Sequence, residues 1–400
     1  MAFRARLAVS TSVVRPAHVG SVRRGSSGLL PSADVWGVQE AFPRAVGSAN
    51  LDWASLGFNY VPTNGHLRVV WKEGRWGTSN FHRDPYVPVH ILGNVFHYGQ
   101  AIFEGFKVFH TKSGAVCRFA DEMSHARMSY GCRRFRMPEV PKQLWDDAID
   151  QVVERDWPFI PPYGSGGALY IRPFMFGSGP RLGLGPSPEY TFAVFANPVG
   201  SYYSTGHIQA LDAMVNDEYD RAAPNGCGDC KAAGNYAADL ESMHAAKMRG
   251  FPISLYLDAR ERRYIEEFNT SNFVAITKEG VYITPEAPRS ILASNTNRVL
   301  RQLAADMGIR VEVRRIDFDA EVETFAEVGA VGTAVVITPI QSLTRGDRTW
   351  KFGQANTLQK LYDRVRAIQK GEQEDKHGWN REVQLGKVKR PAMLSIYPGL

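Results

Sequence analysis

The sequence contains little cysteine and no long apolar run. Only four of its 400 residues are cysteine, which is too few for a disulfide-stapled scaffold in a chain of this length. Charged residues, proline and glycine interrupt every apolar stretch before it reaches the roughly 18 residues that a membrane-spanning helix needs. These absences predict a soluble protein in a reducing compartment, with no membrane partner.

Most of the sequence also lacks an excess of charge of either sign. The net charge is +6, but residues 1–33 contain five arginines and no acid, so the rest of the chain has a net charge of only +1. A body this close to neutral has no electrostatic basis for binding a phosphate backbone. We therefore expect no nucleic-acid partner.

The segment 1–35 is rich in Arg, Ser and Ala, and it has no extended apolar core. This composition is typical of an organellar transit peptide, and we predict import into mitochondria. A disordered basic tail would have the same composition, and the protein would then be cytoplasmic. Either interpretation excludes the segment from the predicted fold.

Mixed strand and helix patterns follow, which predicts an α+β fold with two domains. The stretch PVGSYYSTGH, rich in small and turn residues, reads as an interdomain linker. The predicted divisions are a small α+β domain at 36–200, a linker at 201–206, a large domain at 207–385 and a tail at 386–400. A cleft between two such domains is a usual place for a ligand.

Capping and turn residues set the limits of several elements. The helix in QLWDDAIDQVVERDW is bounded by Pro141 and Pro158, and a second helix begins after Ser294 as its N-cap and ends near Gly308. A late helix ends at Gly371. HLRVVWKEGRW, SLYLDARERRYIEE and NFVAITKEGVYIT read as antiparallel hairpins.

Lys231 is the residue most suggestive of chemistry. It lies between a turn-rich loop and a helix-like run, and its neighbours Cys230, Ala232 and Ala233 are small enough to leave room for a bulky partner. From the residues alone a lysine is most often at the surface.

The motif KAAGNY, together with six others, resembles the branched-chain amino acid aminotransferases of the class IV family. The others, in order along the chain, are HYGQAIFEGFKVF, LYIRPFMFGSGPRLG, NPVGSYY, YIEEFNTSNF, ILASNTNRVL and EVGAVGTAVVITP. The resemblance implies a fold type IV enzyme with pyridoxal 5'-phosphate in the interdomain cleft. It also implies a homodimer that transfers the amino group of leucine, isoleucine or valine to 2-oxoglutarate, giving branched-chain 2-oxo acids and L-glutamate.

The resemblance also implies roles for individual residues. Lys231 would tether the cofactor and move the substrate proton, Tyr236 would contact the cofactor's phenolic oxygen, and Glu267 would hold the ring nitrogen as a cation. Glu266, its neighbour, would point to the opposite face of a strand. The implied phosphate contacts are Arg127, Asn295, Thr296 and Thr333. The implied substrate contacts are Phe58, Tyr98, Phe103, Tyr170, Arg172 and the amide of Ala334. No metal is implied.

The phosphate arginine is the least regular of these matches. The family pattern opens with Phe-Arg, whereas this chain has Phe119 and Ala120, with an arginine displaced to Arg118. Counting forward from the strand places His125 in the phosphate position, and counting back from Cys132 places Arg127 there. We prefer Arg127, and the two alternatives remain open at this level.

Three other interpretations of the sequence remain. The chain could be another fold type IV enzyme, a D-amino acid aminotransferase or an aminodeoxychorismate lyase. Cys227 and Cys230 form a CxxC pattern that also occurs in redox and metal-binding modules, although no second CxxC stands at zinc spacing. An inactive homologue would retain the fold alone. The preferred amino acid and the biosynthetic or catabolic direction are not predicted.

Overall fold

The structure is a computed structural model that describes residues 45–200, 208–286 and 288–383. The predicted transit peptide at 1–35, the linker at 201–206 and the tail at 386–400 lie outside the described residues. Within the described ranges, no helix has both the length and the apolar character required to cross a bilayer.

The described residues form eighteen strands. They are β1 His66–Lys72, β2 Arg75–Trp76, β3 Asn80–His82, β4 Ala101–Phe103, β5 Phe106–His110, β6 Val116–Phe119, β7 Ala168–Gly177, β8 Glu189–Val199, β9 Leu211–Asn216, β10 Ile253–Leu257, β11 Ile265–Phe268, β12 Asn272–Thr277, β13 Tyr282–Pro285, β14 Val311–Arg314, β15 Phe325–Gly332, β16 Val336–Arg345, β17 Arg348–Lys351 and β18 Asn380–Glu382.

Eight α-helices accompany the strands in these ranges. They are α1 Asn94–Tyr98, α2 Asp121–Arg134, α3 Lys142–Arg155, α4 Ala233–Ala237, α5 Leu240–Met248, α6 Asn295–Asp306, α7 Phe318–Glu321 and α8 Asn356–Gln369. The mixture of helices and sheets confirms the predicted α+β class.

The strands form two nine-stranded sheets. The first is antiparallel with the order β18-β6-β5-β7-β8-β1-β2, and β3 and β4 pair with β1 and β7. The second has the order β11-β10-β9-β16-β15-β12-β13-β14, and β17 pairs with β16. Because β11 also pairs with β12, six strands of the second sheet close into a ring.

The predicted helix limits and hairpins are confirmed. Helix α3 follows Pro141, and α6 begins after Ser294, whose hydroxyl accepts a hydrogen bond from the Asn297 amide at 3.2 Å. The three predicted hairpins correspond to the antiparallel pairs β1–β2, β10–β11 and β12–β13. Local capping and turn residues were sufficient for these elements.

A shared hydrophobic cluster joins the two sheets. It packs Phe109 and Phe119 of the first sheet against Leu300 of α6 and Leu358 of α8, together with Trp379 before β18. Strand β18 falls in the range predicted for the large domain and pairs with β6 of the first sheet. The domain limits themselves stay a prediction.

Candidate active site

The backbone of Lys231 is tied to the first sheet. Its carbonyl accepts a hydrogen bond from the Phe103 amide at 3.0 Å, and Ala232 forms a bridge with Ile102 of β4. These contacts place Lys231, which lies two residues before α4, beside a strand more than a hundred positions earlier in the sequence.

The Lys231 side chain lies among polar and aromatic groups. Its Nζ donates a hydrogen bond to the Tyr236 hydroxyl at 2.7 Å and lies 4.5 Å from the centre of the Phe103 ring. Burial, followed by the positive charge of Arg127, lowers the pKa of Lys231 to about 7. Burial also raises the pKa of Tyr236 to about 12, so that hydroxyl is neutral near pH 7.

Four of the predicted substrate residues form a connected group with this lysine. The Arg172 guanidinium lies 4.6 Å from the Phe103 ring centre, and its Nη2 donates to the Tyr170 hydroxyl at 3.2 Å. Phe58 meets the Tyr170 ring edge-on at 5.7 Å. The Arg172 Nε is buried and has no hydrogen-bond partner among the described residues. A cation in this state suits an anionic ligand.

Tyr98 lies apart from this group. Its ring is partly exposed, and its hydroxyl donates to the Leu182 carbonyl. No hydrogen bond or ring contact links it to another predicted site residue within the described ranges.

The two neighbouring glutamates of β11 have different partners. Glu267 accepts hydrogen bonds from the Leu292 amide at 3.1 Å and from Asn272 Nδ2 at 2.8 Å, and Arg221 Nη2 lies 3.3 Å from it. Glu266 accepts instead from the Ser290 hydroxyl. Burial raises the pKa of each glutamate to about 7. Among the groups that oppose this shift at Glu267, Arg221 has the largest effect.

Three of the four predicted phosphate contacts line one cavity. Asn295 and Thr296 are the first residues of α6, where unpaired backbone N–H groups and the helix dipole favour an anion. Thr333, in the turn between β15 and β16, lines the same cavity, as does Lys107 of β5.

Arg127 reaches the loop before α6 from α2. Its Nη1 donates to the Ala293 carbonyl at 3.0 Å, and its Nε and Nη2 form a two-point ion pair with Glu104 at 2.6 and 2.8 Å. His125 instead approaches the Val140 carbonyl at 2.9 Å and packs against Trp145. This arrangement favours Arg127 over His125 for a phosphate contact.

Three buried charged residues at the site were not assigned a role from the sequence. They are Glu104, Lys107 and Arg221, and their partners are Arg127, Ala334 and Glu267. The first two lie within HYGQAIFEGFKVF. A charged residue among the apolar residues of this segment could have indicated a buried charge at the site. Arg221 was recognisable only by its position ten residues before Lys231.

The two thiols of the CGDC segment bond to different groups. Cys227 Sγ donates to Asn235 Oδ1 at 3.3 Å, and Cys230 Sγ donates to Asp229 Oδ1 at 3.5 Å. Both cysteines are free, and burial, followed by Asp229, raises the pKa of Cys230 to about 12.

The chain is similar to known proteins over most of its length. Residues 101–343 match the model of amino-transferase class IV. The chain belongs to the class IV aminotransferase family. A branched-chain-amino-acid aminotransferase of Helicobacter pylori is 38% identical over 84% of this chain and 98% of its own length. A chloroplastic branched-chain-amino-acid aminotransferase 2 of Arabidopsis thaliana is 37% identical over 84% of this chain and 86% of its own length.

The fold agrees with this assignment. The branched-chain amino acid aminotransferase structure of Escherichia coli superposes with a TM-score of 0.64 at 26% identity, and the match covers 79% of this chain and 99% of that one. The predicted family, fold type IV architecture, enzyme class and pyridoxal-phosphate cofactor are therefore confirmed. The interpretation of CGDC as part of a separate redox or metal-binding module loses its support, because the segment lies inside the family match.

Proposed function

We propose that this class IV aminotransferase transfers the amino group of branched-chain L-amino acids (leucine, isoleucine and valine) to 2-oxoglutarate, with pyridoxal 5'-phosphate held on Lys231. The observation that carries the proposal is the placement of the Lys231 amine. It lies 2.7 Å from a neutral tyrosine hydroxyl, among aromatic rings and beside an arginine with an unpartnered buried nitrogen.

The residues around Lys231 fit the cofactor. The free amides at the start of α6, together with Thr333 and Arg127, suit the cofactor phosphate, because a dianion needs fixed donors. A buried carboxylate at Glu267, stabilised by Arg221, suits a protonated ring nitrogen. Tyr236 Oη is within reach of the Lys231 amine and suits the neighbouring phenolic oxygen.

The cofactor supplies an aldehyde that links to amines and a ring that withdraws electrons from the adjacent carbon. Lys231 Nζ is the proposed tether, and after its release it would also be the base that moves a proton from the substrate α carbon to the aldehyde carbon of the cofactor. Because the pKa of Lys231 is lowered to about 7, its amine can serve in both roles near neutral pH. Glu267 would supply the negative charge that stabilises the protonated ring nitrogen.

The surrounding side chains suit two kinds of substrate. Phe58, Phe103 and Tyr170 offer apolar surface to an aliphatic side chain, and Arg172 offers a charge-assisted contact to the second carboxylate of glutamate or 2-oxoglutarate. Ala334 is an exposed residue, and its backbone amide suits the carboxylate that both substrates share.

We also propose a homodimer. Four large apolar side chains are between 60% and 82% exposed: Ile91, Phe96, Leu182 and Leu184. Hydrogen bonds between segments 91–98 and 181–184 bring them onto one surface next to Tyr98. A monomer seldom exposes so many large apolar side chains in one region. A second copy on this surface would cover them and bring its Tyr98 towards the neighbouring site.

Sedimentation equilibrium tests the dimer. The double variant Leu182→Glu, Leu184→Glu should sediment as a monomer, whereas Leu240→Glu, at another exposed leucine on α5, should remain dimeric. A monomeric wild-type protein would contradict the proposal.

We propose a mitochondrial location from the composition of residues 1–35. The Arabidopsis relative is named chloroplastic, so organellar forms exist among the relatives. A fluorescent reporter fused to residues 1–35 should enter mitochondria, and a fusion with all five arginines replaced by glutamine should not. A cytosolic reporter would favour the basic-tail interpretation.

Cofactor chemistry and substrate rates test the activity. The purified protein should be yellow, and borohydride should fix the cofactor to Lys231, as located by peptide mass spectrometry. Single-turnover rates should be highest for leucine, isoleucine or valine in a panel that includes alanine, phenylalanine and D-leucine. A colourless protein would support an inactive homologue, and a preference for D-leucine would support a D-amino acid aminotransferase.

A further inference from the structure

Lys107 is a second buried lysine close to Lys231. It lies on β5, is 8% exposed, and donates from its Nζ to the Ala334 carbonyl at 2.6 Å. The contact joins the first sheet to the turn between β15 and β16 of the second sheet.

No carboxylate lies within ion-pair distance of Lys107 in the described ranges. Its neighbours are the Phe58 ring, whose centre is 5.7 Å from the Nζ, and the half-buried cation Arg366. Burial, followed by the charge of Arg366, lowers the pKa of Lys107 to about 7. Burying an amino group without a counter-ion costs free energy whether it keeps its charge or loses it, so this residue is not explained by stability.

The turn that Lys107 contacts contains two of the proposed ligand contacts. Thr333 lines the cavity at the start of α6, and Ala334 is exposed. Val336, directly after the turn, has a positive φ of 76°, which is a strained conformation for a β-branched residue. Backbone strain of this kind persists only where surrounding contacts hold it, and the Lys107 hydrogen bond is one such contact.

We propose that Lys107 is a positioning residue, whose hydrogen bond to the Ala334 carbonyl fixes the 333–335 turn so that Thr333 faces the cofactor phosphate and the Ala334 amide faces the substrate carboxylate. The inference rests on the proposed function, because it assumes that the two anions bind at this turn. It assigns Lys107 no direct contact with either anion.

The two anions should differ in their dependence on Lys107. Thr333 is one of several phosphate donors, and the others belong to α6 and α2. The Ala334 amide is the one donor proposed above for the carboxylate that both substrates share, so loss of the Lys107 hydrogen bond should weaken carboxylate binding more than cofactor binding.

The test compares Lys107→Met, Lys107→Gln and Lys107→Arg with wild-type protein and with Lys112→Met, a solvent-exposed lysine in the turn after β5. The ligand is 4-methylpentanoate, a carboxylate that has leucine's side chain and no amino group. Its dissociation constant is measured on the cofactor-loaded protein from the change in cofactor absorbance. The dissociation constant of pyridoxal 5'-phosphate and the melting temperature are measured in parallel.

Lys107→Met should weaken 4-methylpentanoate binding by about 10-fold or more, as expected for a lost hydrogen bond from a charged donor, and should change cofactor binding less. Lys107→Arg should recover most of the loss, and Lys107→Gln, which keeps a donor without the charge, should recover part of it. Lys112→Met should resemble wild type.

Wild-type affinity for 4-methylpentanoate in Lys107→Met would overturn the proposal. Equal losses in the Met and Gln variants would also overturn it, because the charge and not the hydrogen bond would then matter. If Lys107→Met does not fold, the Gln and Arg variants are compared with each other. Equal dissociation constants for 4-methylpentanoate with unequal melting temperatures would then show that Lys107 contributes to stability alone. A wild-type protein that binds neither ligand would instead refute the proposed function, and this inference with it.

Discussion

The Lys231 Nζ and the Tyr236 hydroxyl lie 2.7 Å apart, and the Phe103 ring packs against both side chains. Because burial raises the pKa of Tyr236 to about 12, the lysine donates to a neutral oxygen and not to a phenolate. The ammonium is therefore not held by an anion at this contact, and burial and Arg127 together favour the neutral amine.

This relationship predicts how cofactor attachment depends on pH. The pKa of Lys231 is lowered from 10.5 to about 7, so the reactive neutral amine should increase about tenfold per pH unit below pH 7 and change little above it. Stopped-flow absorbance of cofactor-free protein mixed with pyridoxal 5'-phosphate measures the rate. Nα-acetyl-lysine amide in the same buffers corrects for titration of the cofactor, and a protein rate still rising at pH 9 would contradict the prediction.

Arg127 and His125 should differ in their effect on cofactor affinity. Arg127→Gln should raise the dissociation constant of pyridoxal 5'-phosphate by about 10-fold to 150-fold, the range for a lost charge-assisted contact. His125→Gln should lower the melting temperature through the lost contacts with Val140 and Trp145, with little change in cofactor affinity.

The ion pair of Arg127 with Glu104 complicates the single variant. Removing the arginine leaves the Glu104 carboxylate buried without its cation, which is itself destabilising. The double variant Arg127→Gln, Glu104→Gln should recover melting temperature and not cofactor affinity. Recovery of both would mean that Arg127 supports the fold and makes no phosphate contact.

Substitutions at Glu267 and Glu266 should differ in their effect on kcat. Glu267→Gln keeps hydrogen-bonding capacity next to Asn272 and Leu292 but removes the negative charge, so kcat should fall roughly 100-fold with a smaller change in cofactor affinity. Glu266→Gln keeps its contact with Ser290 and should change kcat only a few-fold. Steady-state kinetics of both variants decides the matter, and a larger loss in the Glu266 variant would reverse the assignment.

The sequence was informative where structure depends on neighbouring residues. Ser294 caps α6, and Pro141 precedes α3, because capping and proline effects act over a few positions. The contact of Lys107 with Ala334 joins residues 227 positions apart, and no local pattern specifies such a pairing. The same holds for Arg221, which meets Glu267 only because β10, β11 and β9 lie side by side.

The family resemblance predicted which distant residues share one site, which local sequence patterns could not predict. It named Lys231, Phe103 and Arg172 as one group, and the structure joins them by ring and hydrogen-bond contacts. It also named Tyr98, whose hydroxyl instead donates to the Leu182 carbonyl; in the proposed dimer this residue would belong to the site of the second copy.

The four thiols should not regulate the enzyme. Burial raises the pKa of Cys117 to about 11 and that of Cys132 and Cys230 to about 12, so these thiols are not ionised near pH 7. Ellman's reagent should label the more accessible Cys227 first, and activity should be equal after treatment with oxidant or reductant. Two results together would establish a redox switch. The oxidised wild-type protein would contain a Cys227–Cys230 disulfide and regain activity with reductant, and the activity of Cys227→Ser would respond to neither treatment.

Arg172 should distinguish the acidic substrate from the aliphatic one. A charge-assisted contact contributes about 1.5 to 3 kcal/mol, so Arg172→Met should lower kcat/KM for glutamate roughly 10-fold to 150-fold. Leucine has no second carboxylate, and its half-reaction should stay within several-fold of wild type. Single-turnover half-reactions treat each amino acid separately and measure both effects in one preparation.

The packing of Arg172 provides the alternative that this experiment must exclude. Its guanidinium lies over the Phe103 and Tyr170 rings, so its removal could disturb the apolar wall that leucine also contacts. In that case both substrates would lose rate alike and the melting temperature would fall. Arg75→Met, at an exposed arginine of β2 in the same sheet, controls for a general effect of removing a cation. Equal losses for glutamate and leucine in Arg172→Met would show that the arginine supports the aromatic wall, and the second carboxylate would then require a different anchor.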